Sequence, residues 1–419
     1  MQRSRIKNLK SKVSNNTKVI ENYFFMTALQ VINSFFGILI YPYLIRVLGA
    51  GSYGMYVFAL SVTNYLGLFI SFGFAFPALK LIVEHKDNRQ IKNEVASAVF
   101  TSKLILASVS FLILLLLIFL IPSFYKNKLL LIIVFSQVIS TVIYPVWYFQ
   151  GIQKMKIITY IQLTLRILSL PFTFILIKNS NDILKYAIIV STTNTMSAII
   201  ALIYLYKKEL IRYHFIPLSI LKNYFKDALP FFWSSSAGTI KEESVNIIIG
   251  LFFGMKELAF FNLAEKIIII PRMLTMSIND ALFPKIIVNN DKKSIKKIIK
   301  LEFIIGVIVF IFIAIFGKWI VFLLGGSGML NAYPMAVILS ITVLVWLLVG
   351  SYISFIFVPA KKYYFVTKNQ LVALISFFIF CVPGLLIYKN ILVIVFSLSI
   401  SGICEIVYCN YLIKKNNLL

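Results

Sequence analysis

Runs of about 20 apolar residues recur along the whole chain, and that is the length an α-helix needs to cross a hydrocarbon core of about 30 Å at about 1.5 Å per residue. Twelve such spans can be drawn, over residues 22–45, 54–77, 97–121, 129–150, 157–177, 184–206, 227–251, 258–281, 301–323, 335–358, 365–387 and 391–413. Backbone N–H and C=O groups find no partner in hydrocarbon, so each span must satisfy its own, which a helix does. The chain has 419 residues, 60% hydrophobic and 13% charged, too few polar side chains to cover a soluble globule. The sequence predicts an all-α polytopic membrane protein.

The gaps between spans differ in charge. Gaps on one side, both termini included, hold 29 Lys and Arg against 8 on the other, with Lys103, Lys185, Lys318 and Lys368 near span ends counted in the nearer gap. Short basic loops stay in the cytoplasm, so both termini are expected there. This also accounts for the net charge of +26, which is spread over seven segments facing one side and suits anionic head groups of membrane lipids rather than nucleic acid. The apolar run from Tyr23 to Ile45 is longer than a signal-peptide core and lacks a small-residue cleavage site, so it is expected to remain as the first helix. All outer loops are short, which leaves no room for an extramembrane catalytic domain, and no filter-like loop suggests a channel. Cys381, Cys404 and Cys409 lie inside spans without metal-ligand spacing, so neither a disulfide nor a metal site is expected.

A weak internal repeat organises the chain. Gly49, Gly54, Tyr56 and Ala59 match Gly254, Ala259, Phe261 and Ala264, each 205 positions later, and the helix that follows is read as ending in Phe-Pro both times, at Phe76-Pro77 and Phe283-Pro284. The expected layout is a basic cytoplasmic N-terminus at 1–21, a six-helix half at 22–206, a cytoplasmic linker at 207–226, a second six-helix half at 227–413 and a tail at 414–419. Two parallel repeats around a central cavity are a common build for alternating-access carriers.

Polar residues inside the spans are then the place to look for a substrate, because a charge near the bilayer centre costs about 2.5–3.5 kcal/mol and is seldom turned to lipid. Gln162, Arg166, Ser169 and Thr173 share one face of helix 5; Glu265, Arg272 and Asn279 share a face of helix 8, with Asp280 close by. Helix 7 carries Lys241, Glu242 and Glu243, helix 1 offers Gln30 and Asn33, and helix 2 offers Asn64. Lys241 and Glu265 are placed to pair. The competing reading is mutual neutralisation of these charges inside the bundle. It is weakest for Arg166, which has no acidic neighbour in sequence, and an arginine fork with a polar surround suits bidentate binding of a phosphate. The substrate-binding candidates are Arg166, Arg272, Lys241, Glu265, Gln30, Asn33, Asn64 and Gln162, and no catalytic residue is assigned.

Three stretches carry a family resemblance: Pro42 to Ala59 (PYLIRVLGAGSYGMYVFA), Trp147 to Tyr160 (WYFQGIQKMKIITY), and Phe260 to Ile286 with its NLAEK and LFPKI elements. They resemble the polysaccharide exporter family, the Wzx-type O-antigen and capsule repeat-unit flippases, over nearly the whole chain. The resemblance implies the multidrug/oligosaccharidyl-lipid/polysaccharide fold in a bacterial inner membrane. It also implies a substrate of undecaprenyl-pyrophosphate-linked oligosaccharide, turned from the cytoplasmic to the outer leaflet for O-antigen, lipopolysaccharide or capsule assembly, with polysaccharide polymerase machinery as a partner. No cofactor is implied, and coupling to a proton or sodium gradient stays open. Locally, Gly49, Gly51 and Gly54 allow a tight outer turn, Pro42 can bend helix 1, and Gln150-Gly151 closes helix 4. Two other readings stand beside this one: a multidrug/cation antiporter of the same architecture, for which Glu242, Glu243, Glu265 and Asp280 would serve, and a membrane-embedded glycosyltransferase or polymerase, which would need a polar catalytic loop.

Overall fold

A computed structural model describes the backbone of residues 2–289 and 292–419, and the side chains of residues 21–419 other than 23, 234, 274–278 and 280–291. Fourteen α-helices follow in order: α1 Gln2–Ser71, α2 Ala75–Glu84, α3 Arg89–Leu120, α4 Pro122–Lys126, α5 Lys128–Ile143, α6 Val146–Gly151, α7 Met155–Leu176, α8 Ile183–Tyr204, α9 Leu218–Phe252, α10 Met255–Asn289, α11 Lys292–Gly325, α12 Ala332–Tyr352, α13 Tyr363–Ile387 and α14 Ile391–Lys415. No strand occurs among the described residues. Nine helical stretches among them are long and apolar enough to cross a membrane. One of these, Phe24–Ser71, has 48 residues, which at about 1.5 Å each is more than twice the bilayer core. It breaks at Gly49, whose φ of 75° and ψ of 163° are non-helical. Helices α9 and α10, 35 residues each, carry the intramembrane charges of the expected helices 7 and 8 and are outside the nine.

The repeated turn has a physical basis at its glycines. Gly49 and Gly254, partners in the 205-residue offset, have φ of 75° and 97°, a region that penalises any Cβ. Gly54 is needed for space instead: a Cβ there would lie 1.7 Å from the Met255 carbonyl oxygen. The Phe76-Pro77 expectation is corrected. Phe72 and Gly73, with φ of 40° and 72°, end α1 at Ser71, and Phe76-Pro77 lies in the first turn of α2, where proline loses no helical hydrogen bond. The side chains of Phe283, Pro284 and Asp280 lie outside the described residues.

The chain forms two compact units, Met1–Gly37 with Val62–Ser235, and Ile38–Ser61 with Ser236–Leu419. Residues 38–61 thus belong to the second unit although chain order places them in the first half. In the first unit, α1 and α7 run side by side in the same direction. Asn22 Oδ1 accepts from the Met155 amide at 3.0 Å, Thr159 Oγ1 donates to the Phe25 carbonyl at 3.0 Å, and Arg166 Nη1 donates to the Asn33 carbonyl at 3.4 Å. These separations of 133, 134 and 133 residues hold constant, as parallel helices require. Phe74, which precedes α2, Ala78 and Ile82 from α2, Tyr148 and Phe149 from α6, and Ile158 from α7 form part of one buried core. Gly151, which ends α6, permits that packing, since a Cβ would meet Ile82 Cγ2 at 2.9 Å. Pro145 splits the expected fourth span into α5 and α6.

The tract read as linker is built into this unit. After α8 the chain makes one π turn, Leu205–Glu209, and residues 210–217 lie along α3 before α9 begins at Leu218. Arg89 donates twice to the Leu210 carbonyl, at 3.1 and 2.7 Å, Asn93 Oδ1 accepts from the Arg212 amide at 3.2 Å, and Ser97 Oγ sits 3.1 Å from His214 Nδ1. In the second unit α12 is central and the most buried of the apolar helices. Its neighbours approach through glycine: a Cβ on Gly306 of α11 would meet Leu344 Cδ1 at 2.7 Å, and one on Gly402 of α14 would meet Val345 Cγ2 at 2.8 Å. Between helices that share an apolar solvent with lipid, such small residues provide the contact area that holds them together.

Candidate functional site

Among the described residues, the expected site residues fall into a polar grouping in each unit. In the first unit Arg166 and Gln162, one turn apart on α7, face Asn33 of α1 and Tyr144 of the α5–α6 corner. Arg166 donates to the Asn33 carbonyl, and it acts electrostatically on the Tyr144 hydroxyl. Three buried oxygens, Asn33 Oδ1, Gln162 Oε1 and the Tyr144 hydroxyl, have no hydrogen-bond partner among the described residues. Unmatched polar atoms in a buried place are costly and draw polar ligands. Gln30 and Asn64 are exposed.

The second unit carries the richer set. Lys241 on α9 pairs with Glu405 on α14, Nζ to Oε1 at 3.3 Å, with side-chain exposures of 18% and 15%, so the pair is mostly removed from solvent. Asn369 on α13 donates through Nδ2 to the other oxygen, Glu405 Oε2, at 3.1 Å. Lys241 therefore pairs with Glu405 rather than with the expected Glu265. The next residue, Glu242, holds Arg272 of α10, Oε1 to Nη2 at 3.7 Å, and the guanidinium lies over the Trp346 indole of α12 with Cζ 3.1 Å from the ring centroid. Arg272 is thus matched first by Glu242, while Glu265 shares the field of Glu242, Glu243, Lys266 and Arg272. Lys266 lies 5.5 Å above the Tyr41 ring. A cavity of about 200 Å³ opens among Lys241, Glu242, Trp346, Asn369, Gln370 and Glu405.

Sequence reasoning found Lys241, Glu242, Glu265 and Arg272 but missed Glu405, Asn369, Gln370 and Trp346. A search for lone acids in apolar runs would have found Glu405, the single acidic residue of α14. It also passed over Glu302, buried in α11, to which the Ser351 hydroxyl donates. Glu302 sits directly after the Lys292–Lys300 tract and so reads as helix flank. Lys103 was counted with a loop, yet it is buried in α3, donating to the Thr141 carbonyl at 3.3 Å.

Comparison with known proteins agrees with this architecture. A lipid II flippase, MurJ, in an inward closed conformation superposes with a TM-score of 0.67 at 14% identity, over 94% of this chain and 87% of that one. An inward-facing multidrug resistance MATE family transporter of the MOP superfamily gives 0.61 at 15% identity, over 92% and 95%. At such identities the likeness is one of fold. In sequence, a protein named as an O-antigen transporter from Escherichia coli (strain K12) is 27% identical over 273 residues, and one from Shigella dysenteriae 26% over 263. The matched stretches cover 65% and 61% of this chain, and 66% and 64% of those relatives, just under two thirds of their lengths. The family described as polysaccharide biosynthesis proteins matches residues 19–287, which contain all three signature stretches. With well over half of the chain so matched, this multi-pass membrane protein belongs to the polysaccharide biosynthesis protein family.

Proposed function

We propose that the protein is a flippase that moves undecaprenyl-pyrophosphate-linked oligosaccharide from the cytoplasmic to the outer leaflet of a bacterial inner membrane by alternating access, with twelve spans and both termini in the cytoplasm. The observation that carries this reading is the charge balance of the second unit. Glu405 is answered by Lys241 and Glu242 by Arg272, so the polar cavity offers hydrogen-bonding groups without a free negative charge. An organic cation would have to displace a basic side chain there, whereas sugar hydroxyls need only donors and acceptors. The names of the sequence relatives and the fold shared with a lipid II flippase support the same class.

Carrying a pyrophosphate and sugars through hydrocarbon unaided would strip them of water without replacement, so the protein must supply polar partners along the way. Arg166 and Arg272 are the proposed pyrophosphate contacts. Arg166 brings a fork that donates to the Asn33 carbonyl at 3.4 Å, and Arg272 can exchange Glu242, whose side chain is 60% exposed, for the more highly charged group. The test is purified protein in liposomes loaded with lipid-linked oligosaccharide, scored for appearance of the sugar in the opposite leaflet. Wild-type protein should flip it, while Arg166→Ala should lose about 1.5–3 kcal/mol of charge-assisted binding, or about ten- to a hundredfold in apparent affinity. Arg166→Lys should recover only part, since it keeps charge but not the fork. Uptake of an organic cation without flipping would establish the antiporter instead.

A further inference from the structure

Within the second unit, the cavity beside Arg272 has the chemistry of a carbohydrate subsite. Its wall includes the Trp346 indole, 39% exposed and pinned on one face by the Arg272 guanidinium at 3.1 Å. A rigid aromatic plane of this kind packs well against the C–H face of a sugar ring and costs little conformational entropy when it does so. Around it stand amides and an ion pair, Asn369, Gln370, Lys241 and Glu405, with Val345, Val349 and Ile353 completing an apolar remainder of the wall. Asn369 is 1% exposed and spends its Nδ2 on Glu405, yet among the described residues its Oδ1 has no donor, and neither does Gln370 Oε1. Two acceptors lining one cavity without donors call for a ligand rich in hydroxyl hydrogens.

Size and charge narrow the ligand further. At about 200 Å³ the cavity falls below the roughly 300–1,000 Å³ of pockets for drug-sized molecules, so it takes one ring and not a chain. Lys241 cancels Glu405, and Glu242, released when Arg272 turns to the pyrophosphate, repels an anion, which favours an uncharged sugar over a uronic acid. We infer that this cavity seats a single neutral sugar ring of the lipid-linked oligosaccharide, the one nearest the pyrophosphate, with Trp346 as its platform and Asn369 and Gln370 as hydroxyl acceptors. The inference rests on the flippase reading, since it takes the ring to be joined to a pyrophosphate held at Arg272.

Protein in lipid nanodiscs can be titrated with two probes, undecaprenyl pyrophosphate bearing the oligosaccharide and undecaprenyl pyrophosphate without sugar, alongside the liposome flipping assay. Gln370→Leu is expected to weaken binding of the sugar-bearing lipid about tenfold or more and to leave the sugar-free lipid unchanged, and Trp346→Leu, which also removes the plane under Arg272, to weaken the sugar-bearing lipid about tenfold more than the sugar-free one. Trp346→Phe, which keeps an aromatic face, should recover part of the sugar-dependent binding that Trp346→Leu loses, and size-exclusion behaviour controls for folding. Unchanged binding in both Leu variants, or equal loss for both lipids with folded protein, would overturn the inference while flipping by wild type continues. Absence of flipping by wild type would sink the flippase reading and the sugar subsite with it.

Discussion

The ion pair of Lys241 and Glu405 should be a stability element whose worth appears only when it is half removed. Two charges taken largely out of solvent have lost hydration that their mutual attraction roughly repays, so deleting both costs little, but deleting one strands the other. Removing one member of a fully buried pair costs about 3–5 kcal/mol. Here the side chains keep 18% and 15% exposure, and Glu405 retains the Asn369 amide at 3.1 Å, so the lower end applies. Glu405→Gln and Lys241→Met should each destabilise the protein by about 3 kcal/mol, roughly a hundredfold in the folded-to-unfolded ratio. The double variant should lie within about 1 kcal/mol of wild type instead of losing the roughly 6 kcal/mol to which the single losses sum, a coupling that a double-mutant cycle reads directly. The assay is reversible unfolding in mixed detergent micelles, followed by accessibility of a cysteine placed on α13. If the double variant loses the sum of the single losses, the two groups do not share an interaction, and the charge balance used to exclude a cationic substrate loses its footing.

Gly54→Ala should abolish folded protein, because its Cβ would fall 1.7 Å from the Met255 carbonyl oxygen, whereas Gly51→Ala, with nothing within 4 Å, should express at wild-type levels; yields after size-exclusion chromatography compare them. Cysteines placed near Lys126 and Gly326 should react with an impermeant reagent in intact cells, and those near Lys222 and Lys293 should not; labelling at Lys293 would overturn the twelve-span topology. Arg89→Ala removes both hydrogen bonds to the Leu210 carbonyl, so it should raise the rate of tryptic cleavage at Arg212 severalfold in inside-out vesicles, with no change if the 210–217 segment is held by other contacts.

How much of this was legible in the sequence depends on the range of the interaction concerned. Helix content followed from backbone chemistry in hydrocarbon, and the turn at Gly49 and Gly254 followed from a local need for positive φ that recurs at the 205-residue offset. Helix ends were less legible. Phe72 and Gly73 stop α1 six residues before the Phe-Pro signal, because a Cβ at Gly73 would meet the Phe232 amide nitrogen at 2.7 Å, a contact 159 residues away that no window on the sequence contains.

The candidate site shows the same division, with a sharper lesson about charge. Lys241 and Arg272 were visible as cations in apolar helices, but their partners were chosen by proximity along neighbouring spans, which favoured Glu265. The fold instead brings α14 against α12 through Gly402, and so delivers Glu405 to Lys241 across 164 residues. Counting signs within helices 7 and 8 cannot reveal such a pairing, because the electrostatic penalty of a buried charge is relieved by whichever opposite group the packing supplies. A glycine facing a bulky residue on another helix is the earlier signal: it marks where two helices approach closely, and the polar residue one turn along from it, as Glu405 is from Gly402, is then the one to pair first.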